Sequence, residues 1–334
     1  MSKNEKILVT GGAGYVGSIL VPRLLNEGFK VRVVDFLMFG GESLLGVWGK
    51  KNFDFIKGDL REKRLVEKSL EGIHAVVHLA ALVGQEACNF QPKVTQAINY
   101  EVTRMLADAC RKKRIERFIF ASTCSNYGIH RAGLAQEDTP LDITSLYAET
   151  KVACEKYLQK TKTANFHPCI LRLAMKFGLS PKMRFNLIVN DFAREAVLKN
   201  RVLVYGPQCW RAFTHVQDAA DVYLTCLKAP LDKISGEVFN VGTQNYQKRQ
   251  LLKLVKKYIP DVKVETIEEK KDLRDYRVDF TKIKKVLGFK PKKTVEEGFL
   301  EIKDALEKKI FTDPYDPKYE IWYNPSMMKV FKRR

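Results

Sequence analysis

The sequence predicts a doubly wound α/β fold: a covered parallel sheet with a smaller α/β lobe attached. Three observations carry this. Apolar β-rich runs alternate with helix-period segments through the first half of the 334 residues. A glycine-rich turn joins the first run to the first helix. After Gly178 the rhythm changes to helical pieces mixed with short strands.

The predicted strands of the first half are Lys6–Thr10, Lys30–Asp35, Phe53–Lys57, Ala75–Leu79, Phe118–Ser122 and Cys169–Leu173. They read as continuous apolar runs, as strands covered on both faces do. Helices fall between most of them, for example Gly17–Glu27, Val94–Lys112 and Ala148–Lys160, so right-handed crossovers between parallel strands are expected. The second half has helix patterns over about Phe185–Lys199, Asp218–Lys228 and Lys248–Tyr258, with strands at Val202–Tyr205 and Val238–Val241. The expected division is residues 1–178 for the first domain and 179–320 for a substrate-binding lobe, some of whose segments return to the first. A tail at 321–334 follows. The stretch from Phe311 onward carries three prolines and many aromatics, and docking on the body is expected to order it.

Hydrophobic residues make up 45% of the chain, enough for a sizeable core. Met1–Lys6 runs into the first strand without a signal-peptide pattern, and no apolar run is long enough to span a bilayer. A soluble, cytoplasmic protein with no membrane partner is expected. The seven cysteines form no C-x-x-C pair and their number is odd, which points to reduced thiols and excludes a zinc site or disulfide framework. The formal net charge of +19 suits a pyrophosphate-bearing substrate. Lysine clusters such as Lys253–Lys257, Lys270–Lys271 and Lys282–Lys285 mostly interleave with apolar residues, as on solvated helix faces. No aromatic-basic motif accompanies them, so nucleic acid is not an expected partner.

The chemistry begins at Gly11-Gly-Ala-Gly14-Tyr-Val-Gly17, where a strand becomes a helix. Gly11 permits the tight turn, Gly14 lets a pyrophosphate approach the backbone, and Gly17 lets helix and strand pack closely. The pyrophosphate then meets free N–H groups at the positive end of the helix. Asp35 lies 18 residues beyond Gly17, at the end of the second strand, where an acid binds the adenosine ribose hydroxyls. A carboxylate there repels a 2′-phosphate, so NAD is expected rather than NADP. This is the Rossmann arrangement, and Tyr15, Val16 and Phe36 belong to its lining.

Tyr147-Ala-Glu-Thr-Lys151 places a phenol and an ammonium on one helix face. The ammonium favours phenolate, which takes a proton from a sugar hydroxyl while hydride leaves the same carbon. Thr123, ending the strand Phe118–Ser122, either holds that hydroxyl or satisfies backbone groups at the strand end.

T-G-G-A-G-Y-V-G, H-L-A-A at His78–Ala81, S-T-C-S-N-Y-G and Y-A-E-T-K resemble the motifs of the extended short-chain dehydrogenase/reductases. More narrowly they resemble the NAD-dependent nucleotide-sugar epimerase/dehydratase family, which includes UDP-galactose 4-epimerases and dTDP-glucose 4,6-dehydratases. Arg211–Asp218, Phe239–Gly242, Asp272–Asp279 and Leu287–Pro291 are similar to its later motifs, so the resemblance covers nearly the whole chain. It implies Tyr147 as base, Lys151 as its partner on the nicotinamide ribose, and Thr123 on the reacting hydroxyl. It implies Asp59 at the adenine with Leu60 beside it, Leu79, Ala80 and Ala81 along the cofactor channel, and Asn99 supporting the active-site backbone. Arg211 and Arg274 would clamp the substrate pyrophosphate, or make ordinary surface salt bridges. His215 reads as a structural residue at a helix start. The family also implies a homodimer through a four-helix interface, from apolar stripes such as Met105, Leu106 and Ala109, or Val152, Ala153 and Tyr157. Those same stripes would otherwise pack on their own sheet.

The 4,6-dehydratases carry an Asp-Glu pair after the catalytic Thr, where this chain has Cys124-Ser125. Ordinary 4,6-dehydration is therefore not expected, and Ser125 becomes a substrate contact. Cys124 is either a small buried residue or, with a lowered pKa, a base. Ser180–Asp191 resembles a subset of the family with members that form a 4-keto sugar without resolving it as an epimer. Arg184 and Asn190 would then face the substrate. The readings left open are a 4-epimerase, a 4-dehydrogenase or dehydratase of the same substrate class, and a non-catalytic dinucleotide-binding protein. The nucleotide and the sugar stay open.

Overall fold

A computed structural model describes residue 1, residues 3–267 and residues 274–320. The tail at 321–334, Lys270–Lys271 and the Asp272 that opens the Asp272–Asp279 motif lie outside the described residues.

A seven-stranded parallel sheet forms the centre. Its order is Val238–Val241, His167–Leu173, Arg117–Thr123, Ala75–His78, Lys6–Thr10, Lys30–Asp35, Phe53–Lys57. The chain starts in the middle, winds to the Phe53–Lys57 edge, then crosses back to pair Ala75–His78 with the other side of Lys6–Thr10. That reversal leaves a crevice at the C-terminal ends of the two central strands. Ile7, Leu8, Val9, Val76, Val77, Ile119 and Phe120 are wholly buried, which explains why these strands read as unbroken apolar runs. Each such side chain contributes up to roughly 1.5–3 kcal/mol by leaving water.

The smaller lobe is built on the three-stranded sheet Gln244–Gln247, Trp210–His215, Met175–Phe177 and the pair Lys263–Ile267 with Arg201–Tyr205. The helices Ile188–Lys199, Lys248–Tyr258 and Val295–Glu307 cover a core around Phe177, Phe185, Phe213 and Phe299. Two segments of the second half return to the first domain. The helix Val216–Lys228 sends Ala219, Val222 and Cys226 into the core that holds Leu20 and Leu24, and Val238–Val241 extends the large sheet.

Four local features differ from the sequence reading. The strand expected to run through Leu79 ends at His78, whose ring contacts Thr10 Oγ1 at 2.7 Å and Thr103 Oγ1 at 3.0 Å. The helix expected over Val94–Lys112 is broken into Pro92–Gln96, a π turn at Ala97–Glu101, and Val102–Lys112. The helix expected from Phe185 starts at Ile188, because Phe185 gives its N–H to the Tyr319 carbonyl at 3.1 Å. The strands Ile129–Ala135, Asp275–Val278, Met175–Phe177 and Gln244–Gln247 lack a sequence signal, being short or half-polar.

Candidate active site

The cleft at the switch point encloses about 1530 Å³, its solvent-open mouth included. Its floor is the glycine turn. Gly11 has φ +73°, and a Cβ there would lie 2.8 Å from the Ala80 nitrogen. A Cβ on Gly17 would lie 2.5 Å from the Gly11 carbonyl oxygen, so the close helix–strand contact requires glycine. The helix Gly17–Asn26 has no capping side chain and no acid in its first turn. Ser18, Ile19 and Leu20 already donate to the Gly14 and Val16 carbonyls, so the N–H groups of Tyr15, Val16 and Gly17 at its start are the ones that suit a pyrophosphate.

Every residue expected around the cofactor lines this cleft except Asn99. Gly11, Gly14, Tyr15, Val16 and Gly17 form one wall. Asp35, Phe36, Asp59 and Leu60 form the far end, and Leu79, Ala80 and Ala81 cross the middle. Asp35 accepts the N–H groups of Ala13 at 3.0 Å and Leu37 at 2.8 Å, while burial raises its pKa. Asp59 is engaged by Arg61 at 2.6 Å. Asn99 stands one layer back, in the π turn. Its Oδ1 accepts from Leu82 N at 2.8 Å and its Nδ2 donates to Leu82 O at 3.0 Å. A π turn inside a helix often marks a functional site, and here it aims an amide at the backbone just beyond Ala81.

Tyr147 and Lys151 enter from the helix Leu146–Lys160, whose N-cap is Ser145. The ammonium donates to the Ala121 carbonyl at 2.9 Å and lies 4.6 Å above the Phe120 ring, against 5.9 Å from the Tyr147 ring. It is thus anchored to the strand rather than to the phenol. Burial drives the Tyr147 pKa well above its usual range, Cys88 adding to this, while Arg184 and Arg274 pull it down. Burial also pushes Lys151 down to about 8. The positive groups that favour phenolate are therefore two arginines that the sequence reading gave to the substrate alone.

Thr123 Oγ1 accepts from Ser125 N at 3.1 Å, capping the turn Cys124–Tyr127, and among the described residues no acceptor takes its proton. Ser125 Oγ accepts from Arg274 at 2.9 Å. Cys124 is fully buried and donates to the Arg172 carbonyl at 3.0 Å; burial pushes its thiol up to about 12, so it is no base at neutral pH. Behind it, Glu155 and Arg172 form a buried ion pair at 2.8 Å, and Glu155 Oε1 also accepts from Asn126 at 2.9 Å.

Arg184 lines the cleft. Asn190, expected to face the substrate, is fully buried instead. It donates to Arg184 O at 2.7 Å and Tyr15 OH at 3.1 Å, and accepts from Gly178 N at 3.0 Å, so both its donors and one of its two lone pairs hold the loop that presents Arg184. Arg211 is also fully buried and donates to the carbonyls of Trp210 and Arg274. Its guanidinium braces the Arg274 backbone, and Arg211, like Thr123, Ser125 and Arg274, lies outside the residues that line the cleft. His215 caps the helix Val216–Lys228 and contacts Glu301 at 2.7 Å. Lys176, Lys182 and Tyr319 also line the cleft and were missed from sequence. The signal for Lys176 is a charge alternating with Met175 and Phe177 in an otherwise apolar strand.

Fold and cleft together define a dinucleotide-dependent enzyme of the extended short-chain dehydrogenase/reductase type. Residues 7–242 match the NAD dependent epimerase/dehydratase family. The chain belongs to that family, and NAD is its cofactor. It is 28% identical over 318 residues to a UDP-glucose 4-epimerase of Bacillus subtilis, covering 87% of this chain and 94% of the relative. It is 28% identical over 317 residues to a dTDP-glucose 4,6-dehydratase of Streptomyces niveus, covering 89% and 91%. A UDP-glucuronic acid 4-epimerase from Bacillus cereus, solved with UDP-glucuronic acid and NAD, superposes with a TM-score of 0.79 at 25% identity, covering 91% of this chain and 99% of the other. Among the described residues no helix is long and apolar enough to cross a membrane, and no group of three or more His, Cys, Asp or Glu could hold a metal ion.

Proposed function

We propose that the protein is a nucleotide-sugar 4-epimerase. Tyr147, as phenolate, takes the proton of the C4 hydroxyl, and Thr123 donates a hydrogen bond that orients that hydroxyl. The Arg184 and Arg274 guanidiniums stabilise the phenolate, and Lys151, held on the Ala121 carbonyl, faces the nicotinamide ribose. NAD, when bound, accepts hydride from C4 and returns it. The 4-keto sugar turns over between the two transfers, so hydride comes back to the opposite face and Tyr147 returns the proton. Arg184 and Arg274 hold the substrate diphosphate, with Ser125 against Arg274.

The observation that carries this reading is the convergence of Tyr147 and Lys151 on the cleft that starts at the Gly11–Gly17 turn. Dehydration at C5–C6 needs a further acid and base, and the positions that would supply them hold a buried neutral thiol and a hydroxyl already accepting from Arg274. A 4-dehydrogenase uses the same first half-reaction and ends by releasing the 4-keto sugar. The test is incubation with NAD and a panel of nucleotide sugars in heavy water, followed by mass spectrometry. An isomer of unchanged mass without deuterium supports the epimerase. A product lighter by two hydrogens makes the enzyme a 4-dehydrogenase, and one lighter by water makes it a dehydratase.

A further inference from the structure

Lys176 is a cleft cation that the proposed mechanism does not use. It lies in the strand Met175–Phe177, where Met175 and Phe177 pack into the core of the smaller lobe. Side chains alternate along a strand, so Lys176 points the other way, and it lines the cleft with Tyr147 and Lys151. Its strand begins two residues after Leu173, which pairs with Thr123 in the large sheet. That places it at the end of the cleft where the sugar reacts, away from Asp35 and Asp59.

Among the described residues Lys176 has no hydrogen-bond or ion-pair partner. The acids that line the cleft are engaged elsewhere: Asp35 accepts the N–H groups of Ala13 and Leu37, Asp59 holds Arg61, and Glu320 holds Arg194 at 2.8 Å. Its charged neighbours inside the cleft, Arg184 and Lys151, are both positive; burial first, and these two charges after it, press its pKa down to about 8. A half-buried ammonium among like charges and without a carboxylate is unfavourable, and such groups are retained where a ligand supplies the counter-charge. Arg184 and Arg274 are given to the phenolate and the diphosphate in the reading above, and Lys182 meets the Lys318 carbonyl, which leaves Lys176 for a further negative group on the sugar.

We propose that Lys176 is a specificity-determining residue that binds a carboxylate on the sugar, and that the preferred substrate is a nucleotide-linked uronic acid rather than a neutral hexose. This rests on the reading of the cleft as a nucleotide-sugar C4 oxidation site. The ammonium forms a charge-assisted hydrogen bond to the carboxylate next to the reacting carbon and takes no part in proton transfer.

The test is steady-state kinetics with NAD on matched pairs, glucuronate against glucose, each linked to UDP, GDP, CDP or dTDP. The wild type is expected to favour the uronate of a pair at least about tenfold in kcat/KM, the size of one charge-assisted hydrogen bond. Lys176→Met should collapse that ratio, and Lys176→Arg should keep it. Equal use of both sugars, preference for the hexose, or a ratio unmoved by Lys176→Met overturns the inference while leaving C4 oxidation standing. No turnover of any pair by the wild type overturns both. If Lys176→Met fails to fold, the wild-type ratio decides alone.

Discussion

Lys151 shows how a single residue trades stability for chemistry. Its folded pKa of about 8 lies below the ordinary 10.5, so the folded state sheds the proton first. The cost is fully present below pH 8 and relaxes as pH rises from 8 to 10.5. Lys151→Met should therefore raise the unfolding free energy at pH 7 by about 1–3 kcal/mol and abolish turnover. Denaturant titrations at a series of pH values check this, with the gap between the two proteins closing above pH 8. A variant less stable than wild type at pH 7 would contradict it. Cys124 is the opposite case, a nucleophile by type and an inert residue by place. Held neutral by burial, it should resist alkylation in the folded enzyme, and Cys124→Ala should keep turnover within about twofold of wild type. A tenfold loss of kcat would return the thiol to the mechanism.

At the scale of elements, the site rests on polar ties between segments far apart in sequence. Tyr15 donates to the Gly178 carbonyl at 2.5 Å, and Ser18 meets Ser180 at 2.8 Å, which joins the cofactor turn to the loop carrying Arg184. Glu155 and Arg172 tie the helix Leu146–Lys160 to the strand His167–Leu173. Removing one partner leaves a buried charge, so Glu155→Ala should cost about 3–5 kcal/mol, and replacing both residues with apolar ones should recover much of it. Chemical denaturation reads both, and a single-variant loss under about 1 kcal/mol would show that the pair is dispensable. These ties also mark what was legible in the sequence. Strands such as Lys6–Thr10 and the Gly11–Gly17 turn were readable because burial on both faces and backbone approach leave a local pattern. The Tyr147–Lys151 spacing was readable for the same reason. The roles of Asn190 and Arg211 were not, because their partners Tyr15, Gly178 and Arg274 come from distant segments and no spacing records which way a buried amide or guanidinium turns. The π turn at Ala97–Glu101 was hidden because its residues still fit a helical period.

Across the whole molecule, exposed Lys253, Lys256 and Lys257 sit on the solvent face of the helix Lys248–Tyr258, whose Leu251, Leu252 and Val255 are buried. That is the amphipathic arrangement the charge clusters suggested. The stripes proposed for a homodimer divide. Leu106 and Val152 belong to the protein's own interior, whereas Met105, Ala109, Ala153 and Tyr157 are only partly covered. We propose that this second set forms the four-helix face between two copies. Light scattering should then give twice 38.4 kDa, and Ala153→Glu should return it to the single-chain mass. A wild-type monomer would remove the proposal.

In the proposed reaction NAD takes hydride from C4 of a nucleotide sugar and returns it, while Tyr147 takes and returns the proton. It is tested most directly with a turned-over nucleotide sugar carrying deuterium at C4, with Tyr147→Phe as control. The expected result is a C4-inverted product that retains the label, a primary isotope effect on transient nicotinamide reduction, and a rate lowered by about 10²–10⁴ in the variant. Inversion with the label intact and no nicotinamide reduction, or undiminished turnover by Tyr147→Phe, would contradict it.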